Sequence, residues 1–167
     1  MPTVVLVGAP GSGKSTTGRL VAELLGEVFR DSDELVETTT GLGVSDIFVL
    51  YGEAHFRQLE RDAVLAGLAD QDGVLALGGG AVASEQVRAA LVGRAVVWLD
   101  VSDVEAVRRV GLSAPRPVLL GNLRGQWAQL MQQRAPWYEQ VARWRIDTTG
   151  RDPAEVADHI RNLLRGA

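Results

Sequence analysis

A glycine-rich stretch near the N-terminus, LVGAPGSGKSTTGRL over residues 6–20, constrains this chain more than any other feature. Gly8, Gly13, Lys14 and Ser15 match the spacing GxxxxGK(S/T), which follows an apolar, β-branched run and precedes an amphipathic one. Lys14 is the only lysine among the 17 lysine and arginine residues of the chain. A strand, a tight loop and a helix in this order predict a loop whose backbone N–H groups surround an anion.

Each residue type in this loop suits a polyphosphate. The Lys14 ammonium would reach the β and γ phosphates, the Ser15 hydroxyl would ligate Mg²⁺, and the helix N-terminus adds its partial positive charge. We therefore predict a nucleotide site here, rather than a glycine-rich turn that binds nothing. The motif recognises phosphates, not bases, so it does not decide whether the nucleotide is ATP or GTP. A GTPase would carry an NKxD motif downstream, and none can exist because Lys14 is the last lysine.

Apolar runs alternate with helical patterns along the whole chain. Strands are predicted over residues 3–7, 28–30, 73–77, 95–99 and 143–147, and helices over residues 14–25, 53–69, 84–91, 104–109, 125–142 and 153–164. Nearly continuous apolar strands are typical of a parallel sheet that is buried on both faces. We predict a single three-layer α/β domain over residues 1–167, with a central parallel sheet of about five strands flanked by helices.

Two segments interrupt this pattern. Residues 33–52 read as helical but are broken by Gly41 and Gly43, and residues 111–125 show no clear period. Long irregular segments of compact domains are often functional, although an ordinary surface loop fits the glycine and proline content of residues 111–125 equally well. The predicted division is a core of residues 1–32, 61–110 and 126–167, a small substrate-binding insertion at residues 33–60 and a short lid at residues 111–125.

The charge and composition of the chain limit the classes of partner that it can bind. A net charge of −4 and a pI near 5.2 argue against a surface for nucleic acid or anionic membrane. The chain has no cysteine, which fits a reducing compartment, and no window approaches the roughly 18 apolar residues of a membrane span. We expect a cytoplasmic monomer that has neither nucleic acid nor membrane as a partner.

Two aspartates follow the short second strand. Asp31 and Asp33 should lie at the carboxyl edge of the sheet, where open α/β folds bind ligands. Near a magnesium nucleotide, one carboxylate can hold the metal while the other receives or orients a hydroxyl proton. The alternative is that Asp31 or Ser32 only caps the helix that begins near Asp33.

Further along the chain, one helix face and one loop offer groups for a second ligand. The charged face of the helix predicted over residues 53–69 carries Glu53, Arg57, Glu60 and Arg61. Taken alone, these i, i+3 and i, i+4 pairs predict only a solvated salt-bridge ladder. The glycines at residues 78–80 follow a predicted strand and expose bare backbone to which a ligand can come close.

Taken together and in order, these motifs resemble the shikimate kinase family. The resemblance covers nearly the whole chain: GxxxxGKST, DSD, TG followed by DIF, GEAHFRQLE, LALGGGAV, an RP in the irregular segment, and RAPWY. It implies a P-loop kinase of the nucleoside monophosphate kinase type. Such an enzyme moves the γ-phosphoryl group of ATP to the 3-hydroxyl of shikimate, in the biosynthesis of aromatic amino acids.

The resemblance also implies roles for individual residues. The catalytic residues would be Lys14, Asp33 as the proton acceptor, and Arg116 from the lid. The nucleotide would be bound by Gly11, Ser12, Gly13, Lys14, Ser15, Thr16, Arg109, Arg116 and Arg151, and Mg²⁺ by Ser15 and Asp31. Shikimate would be bound by Asp33, by Arg57 and Arg134 at its carboxylate, by Gly79 and Gly80 at its ring, and by Phe48 and Phe56 as walls of the pocket.

Two alternatives remain open from the residues alone. A kinase for another small polyol acid such as gluconate would share the phosphate loop and the chain length. A catalytically silent nucleotide-binding module would need the loop but not the aspartates or the arginines. Release of ADP in the presence of a panel of acceptors distinguishes all three.

Overall fold

The strands form one parallel sheet. The computed structural model describes residues 1–70, 72–113 and 120–167. The strands are β1 (Pro2–Val7), β2 (Phe29–Asp31), β3 (Gly73–Ala76), β4 (Val96–Asp100) and β5 (Trp144–Asp147). They pair in the order β2-β3-β1-β4-β5, and every pair is parallel. The predicted five-stranded parallel sheet is therefore confirmed.

Helices cover both faces of this sheet. They are α1 (Lys14–Leu25), α2 (Ser32–Thr40), α3 (Val44–Tyr51), α4 (Glu53–Asp70), α5 (Glu85–Leu91), α6 (Asp103–Ser113), α7 (Leu120–Val141) and α8 (Pro153–Arg165), with a 3₁₀ turn at Ala81–Ala83. Alternate residues of β1 point to opposite faces, as in any strand. Val4 and Leu6 pack with α1 and α8, whereas Val5 and Val7 pack with α4, α5 and α7. The result is the predicted three-layer α/β fold.

The segment after β2 forms two short helices rather than one. Helix α2 ends at Gly41, whose φ of 70° is the left-handed conformation that favours glycine at a helix C-terminus, and α3 follows Gly43. Val36, Ile47 and Phe56 form a small apolar cluster of their own. This arrangement agrees with the predicted interruption at the two glycines. The division into core, substrate-binding insertion and lid stays a prediction.

The helices around the predicted lid are longer than the sequence pattern indicated. Helix α6 continues to Ser113 instead of ending at residue 109, and α7 begins at Leu120 instead of residue 125. Glycine costs only about 1 kcal/mol relative to alanine inside a helix, so Gly111 and Gly125 do not end these helices. Arg116 lies outside the described residues. None of the helices in the described ranges is long and apolar enough to cross a membrane.

Candidate active site

The phosphate loop, residues 8–13, leaves the carboxyl end of β1 and enters α1. Gly13 lies at the start of the helix with a φ of 88°, a conformation that a residue with a side chain rarely adopts. The Lys14 Nζ turns back over the loop and donates hydrogen bonds to the carbonyl oxygens of Gly8, at 2.7 Å, and Ala9, at 3.1 Å. The ammonium therefore lies inside the loop that was predicted to surround phosphate.

Charged groups from three other positions influence this ammonium. The pKa of Lys14 is lowered to about 8: burial is the largest cause and the charge of Arg134 acts in the same direction, whereas the carboxylates of Asp31 and Asp33 oppose the shift. These groups come from the end of β2, the first turn of α2 and the middle of α7. The fold therefore brings Lys14, Asp33 and Arg134, which lie far apart in sequence, into one electrostatic environment.

Asp31 has two functions in this structure. Its Oδ1 accepts from the backbone N–H of Asp33 at 2.9 Å and so caps α2, while its Oδ2 accepts from the Ser15 hydroxyl at 3.0 Å. Asp31 therefore caps α2, but capping is not its only contact, because its second carboxylate oxygen binds Ser15. No cluster of three or more His, Cys, Asp or Glu side chains in the described ranges could hold a metal ion alone. A hydroxyl and a carboxylate are the hard oxygen ligands that suit a Mg²⁺ ion whose other ligands are phosphates and water.

Asp33 faces the glycine loop that follows β3. Its Oδ1 lies 3.0 Å from the position that a Cβ atom on Gly78 would occupy. Burial raises the pKa of Asp33 and the charge of Asp31 raises it further, whereas Lys14 and Arg57 lower it. A carboxylate with a raised pKa is a better proton acceptor than an exposed aspartate.

Side chains from two distant elements fix the glycine loop at residues 78–80. The backbone N–H of Gly78 donates to the hydroxyl of buried Ser32 at 2.8 Å. The Gly79 carbonyl accepts from the hydroxyl of Tyr138 at 2.6 Å. The loop is thus attached to the start of α2 on one side and to α7 on the other.

Two guanidinium groups lie against the same loop. A Cβ atom on Gly79 would stand 3.3 Å from Nη1 of Arg134, and a Cβ on Gly80 would overlap the Arg57 guanidinium. A side chain at Gly80 would displace the Arg57 guanidinium, and one at Gly79 would crowd that of Arg134. The charge of Arg134 also lowers the pKa of Lys14 and of Glu60, so the positive field of this arginine reaches the same edge of the sheet.

Arg57 is held by a carboxylate from its own helix. Its Nη1 lies 2.8 Å from Oε1 of Glu60, which is only 2% exposed, and its Nη2 lies 3.6 Å from Glu53. Burial raises the pKa of Glu60, while the hydrogen bond and charge of Arg57 lower it. The prediction of a solvated ladder is therefore wrong for Glu60, which is the buried partner that orients Arg57.

The two phenylalanines predicted as pocket walls differ in exposure. Their ring centroids lie 4.7 Å apart, Phe48 is half-buried, and Phe56 is 3% exposed within the small apolar cluster of α2, α3 and α4. Phe56 therefore packs mainly as a core residue. Only Phe48 offers much surface to a ligand, and both roles stay predictions.

The predicted nucleotide contacts line two clefts that share the phosphate loop. A cleft of about 430 Å³ lies over Gly11, Gly13, Lys14, Ser15, Thr16 and Arg109. A second, of about 280 Å³, is lined by residues that include Ser12, Thr16, Arg109, Thr148 and Arg151. Arg109 donates to the carbonyl oxygens of Gly11, at 3.0 Å, and Thr148, at 3.1 Å. It thereby joins the phosphate loop to the segment after β5, where a base could lie.

Sequence reasoning missed two buried groups at this site. Glu60 was predicted to be a surface charge, and Tyr138 was named only within the RAPWY motif, with no role of its own. A signal for Tyr138 existed, since it follows Arg134 by four residues and must share its helix face. The indole of Trp127 was also missed as a link to the phosphate loop, because its Nε1 donates to the Pro10 carbonyl at 3.1 Å.

Comparison with known proteins gives consistent results. The family model described as shikimate kinase matches residues 10–165. The shikimate kinase of Salinispora arenicola is 56% identical over 163 residues, with 98% of each chain covered. The structure of a shikimate kinase from Acinetobacter baumannii in complex with shikimate superposes with a TM-score of 0.90 at 34% identity, covering 98% of this chain and 92% of that one. A gluconokinase from Sinorhizobium meliloti, with a TM-score of 0.66 at 19% identity, covers 98% of this chain and 91% of that one, and it shares the fold alone.

Proposed function

The chain belongs to the shikimate kinase family, and we propose that the residues around Lys14 carry out the reaction of that family in this protein. It is an ATP-dependent kinase that transfers the γ-phosphoryl group of ATP to the 3-hydroxyl of shikimate, giving shikimate 3-phosphate and ADP in aromatic amino acid biosynthesis. One observation carries the residue assignment. The charges of Asp33 and Arg134 act on Lys14 of the phosphate loop, and Asp33, Arg134 and Arg57 all lie against the glycine loop at residues 78–80.

We assign the donor side to the phosphate loop. The backbone N–H groups of residues 11–16 bind the phosphates, and Lys14 exchanges its bonds to the Gly8 and Ala9 carbonyls for bonds to phosphate oxygens. Arg109 and Arg151 line the cleft for the base and sugar. Ser15 and Asp31 would hold a Mg²⁺ ion, which would supply positive charge at the β and γ phosphates. The role of Arg116 in the lid stays a prediction from the sequence.

The acceptor side holds shikimate by its charged end. Arg57 and Arg134 bind the carboxylate, the backbone of Gly79 and Gly80 lies against the ring, and Phe48 and Phe56 contribute the wall. Asp33 accepts the proton of the shikimate 3-hydroxyl. The hydroxyl oxygen forms a bond to the γ-phosphorus, and the bond between that phosphorus and the β–γ bridging oxygen breaks, so that ADP leaves. Lys14 stabilises the charge that develops on the transferring group.

The test is release of ADP with separate acceptors. We expect turnover with shikimate to exceed turnover with gluconate or without an acceptor by at least about 100-fold, because a pocket built to bind specific polar groups discriminates strongly. Mass spectrometry of the product should show one added phosphate group. Equal ADP release with and without shikimate would identify a nucleotide-binding module, and faster release with gluconate would identify the other kinase.

The Arg57→Ala variant tests the carboxylate contact. We expect the KM for shikimate to rise about 30-fold or more, equivalent to about 2 kcal/mol, because truncating one member of a hydrogen-bonded charge pair costs at least that much. The KM for ATP should change less than twofold. Arg19→Ala, which removes an exposed arginine of α1 paired with Glu34, is the matched control and should change neither constant. An unchanged KM for shikimate in Arg57→Ala would remove Arg57 from the site.

The alkaline limb of the pH profile reports on Lys14. Its pKa is lowered to about 8, so the free enzyme carries the ammonium charge below pH 8 and loses it above. We expect kcat/KM for ATP to fall tenfold per pH unit well above pH 8, while kcat at saturating ATP stays level to higher pH because bound phosphate favours the ammonium form. Initial rates between pH 6.5 and about 10 measure both parameters. A level kcat/KM through this range would contradict the assignment.

We further propose that the chain works as a monomer in the cytoplasm without nucleic acid. The support for a monomer is that one chain supplies every residue assigned above to both substrates. The cytoplasm is where ATP is abundant, and the net charge of −4 disfavours nucleic acid. Sedimentation equilibrium with and without both substrates tests the monomer directly.

A further inference from the structure

Tyr138 contacts the glycine loop but has no role in the reaction as assigned. The side chain is completely buried in α7, and its ring lies 5.7 Å from that of Trp98 in β4. Its hydroxyl donates a hydrogen bond to the Gly79 carbonyl at 2.6 Å, across 59 residues of sequence. A buried tyrosine usually finds one partner for its hydroxyl, but here that partner is the backbone of the proposed acceptor site.

The same hydroxyl lies beside Arg134. Burial raises the pKa of Tyr138 to about 12, and the charge and hydrogen bonding of Arg134 oppose this shift. The phenol therefore keeps its proton at neutral pH and can donate to only one acceptor, which is Gly79. Its oxygen still accepts, so it can interact with the Arg134 guanidinium one helical turn earlier.

We propose that Tyr138 is a positioning residue for shikimate, whose hydroxyl holds the Gly79 carbonyl and the Arg134 guanidinium in one fixed relation. The proposal rests on the proposed function, in which these two groups bind the acceptor. Tyr138 would act through Gly79 and Arg134, without touching the substrate.

The glycine loop needs such an attachment for a physical reason. Residues 78–80 have no side chains of their own, and glycine loses more conformational freedom on ordering than any other residue. Ser32 fixes the loop at Gly78, and Tyr138 fixes it at Gly79. Without the phenol hydroxyl, the Gly79 carbonyl would lose a short hydrogen bond and the loop would have more conformations available before shikimate binds.

The first experiment is steady-state kinetics of Tyr138→Phe, which removes one oxygen and keeps the ring. We expect the KM for shikimate to rise about three- to tenfold, the size of effect that one lost hydrogen bond gives, with the KM for ATP within twofold of the wild type. Val141→Ala is the matched control because Val141 lies on the same helix and packs against the same apolar cluster. It should lower the thermal midpoint and leave both KM values unchanged.

The outcomes separate the inference from the function. If the wild type phosphorylates shikimate and Tyr138→Phe keeps the wild-type KM, the inference is overturned and the function stands. An equal rise in both KM values, or a rise in Val141→Ala as large as in Tyr138→Phe, also overturns it, because either indicates general loosening. If the wild type fails to phosphorylate shikimate, the proposed function itself fails.

A second measurement keeps the hydroxyl in place and covers the case in which Tyr138→Phe does not fold. The chain has two tyrosines, so Tyr51→Phe leaves Tyr138 as the only site for 3-fluorotyrosine. We expect the fluorine resonance to shift when shikimate is added without nucleotide, and to shift less when ATP is added without shikimate. A resonance that does not respond to saturating shikimate would overturn the inference.

Discussion

Replacing Lys14 with arginine is expected to lower kcat/KM for ATP about 100- to 1,000-fold, although the positive charge is kept. The Lys14 Nζ lies 2.7 Å from the Gly8 carbonyl oxygen and 3.1 Å from the Ala9 carbonyl oxygen, so two backbone carbonyls converge on one compact nitrogen. A planar guanidinium is wider and presents its donors in a fixed fork, so we expect it to place no single donor between the β and γ phosphates. Steady-state kinetics with ATP as the varied substrate measures the loss.

The control for Lys14→Arg is the binding of shikimate to the same variant. Shikimate should bind to the variant in the absence of nucleotide within about threefold of its wild-type affinity, as measured by calorimetry. This result would show that the fold and the acceptor pocket survive. Turnover near the wild-type rate would mean that any cation suffices at this position, and the assignment of Lys14 to the transferring phosphate would fail.

Replacing Asp33 with asparagine is expected to lower kcat about 100- to 10,000-fold, the range that general base catalysis commonly supplies. The substitution preserves size but removes the proton acceptor. Glu34→Gln is the matched control, because Glu34 is the next residue, is exposed and forms a surface ion pair with Arg19. It should keep kcat within twofold. A kcat above one tenth of the wild-type value in Asp33→Asn would mean that the carboxylate orients the hydroxyl without accepting its proton.

Asp33→Asn should also change the pH profile at both ends. Burial and Asp31 raise the pKa of Asp33, so the acid limb of kcat/KM for shikimate should lie above the ordinary aspartate range and disappear in the variant. The charge of Asp33 raises the pKa of Lys14, so in the variant the alkaline limb of kcat/KM for ATP should move to lower pH. Coupled changes at both limbs are difficult to explain by a general loss of stability.

Local features of the sequence were sufficient for the architecture. The phosphate loop between β1 and α1 could be predicted because its glycines, its lysine and the flanking apolar runs act within a few residues of one another. The end of α6 and the beginning of α7 could not be predicted in this way. Packing between these two helices outweighs the modest cost of Gly111 and Gly125, and tertiary packing of this kind is not visible in a local pattern.

The buried polar groups of the site were the hardest to predict. An arginine and a glutamate three residues apart look the same in the sequence whether the pair is largely solvated, like Arg108 and Glu105, or includes a buried carboxylate, like Arg57 and Glu60. Burial depends on which neighbour covers the helix face. Tyr138 shows the same limit, since its partner lies 59 residues earlier in the chain. The sequence was enough to predict the type of chemistry. The structure was needed to identify the buried residues, Glu60 and Tyr138, that contact Arg57 and Gly79 of the proposed site.

The position of β1 in the sheet has a mechanical consequence. This strand lies in the middle, between β3 and β4, and its four residues before the phosphate loop are at most 1% exposed. Central strands belong to the part of a protein that opens last. The loop proposed to hold the donor phosphate is therefore anchored to a strand that we expect to be among the last to exchange its amide protons with solvent.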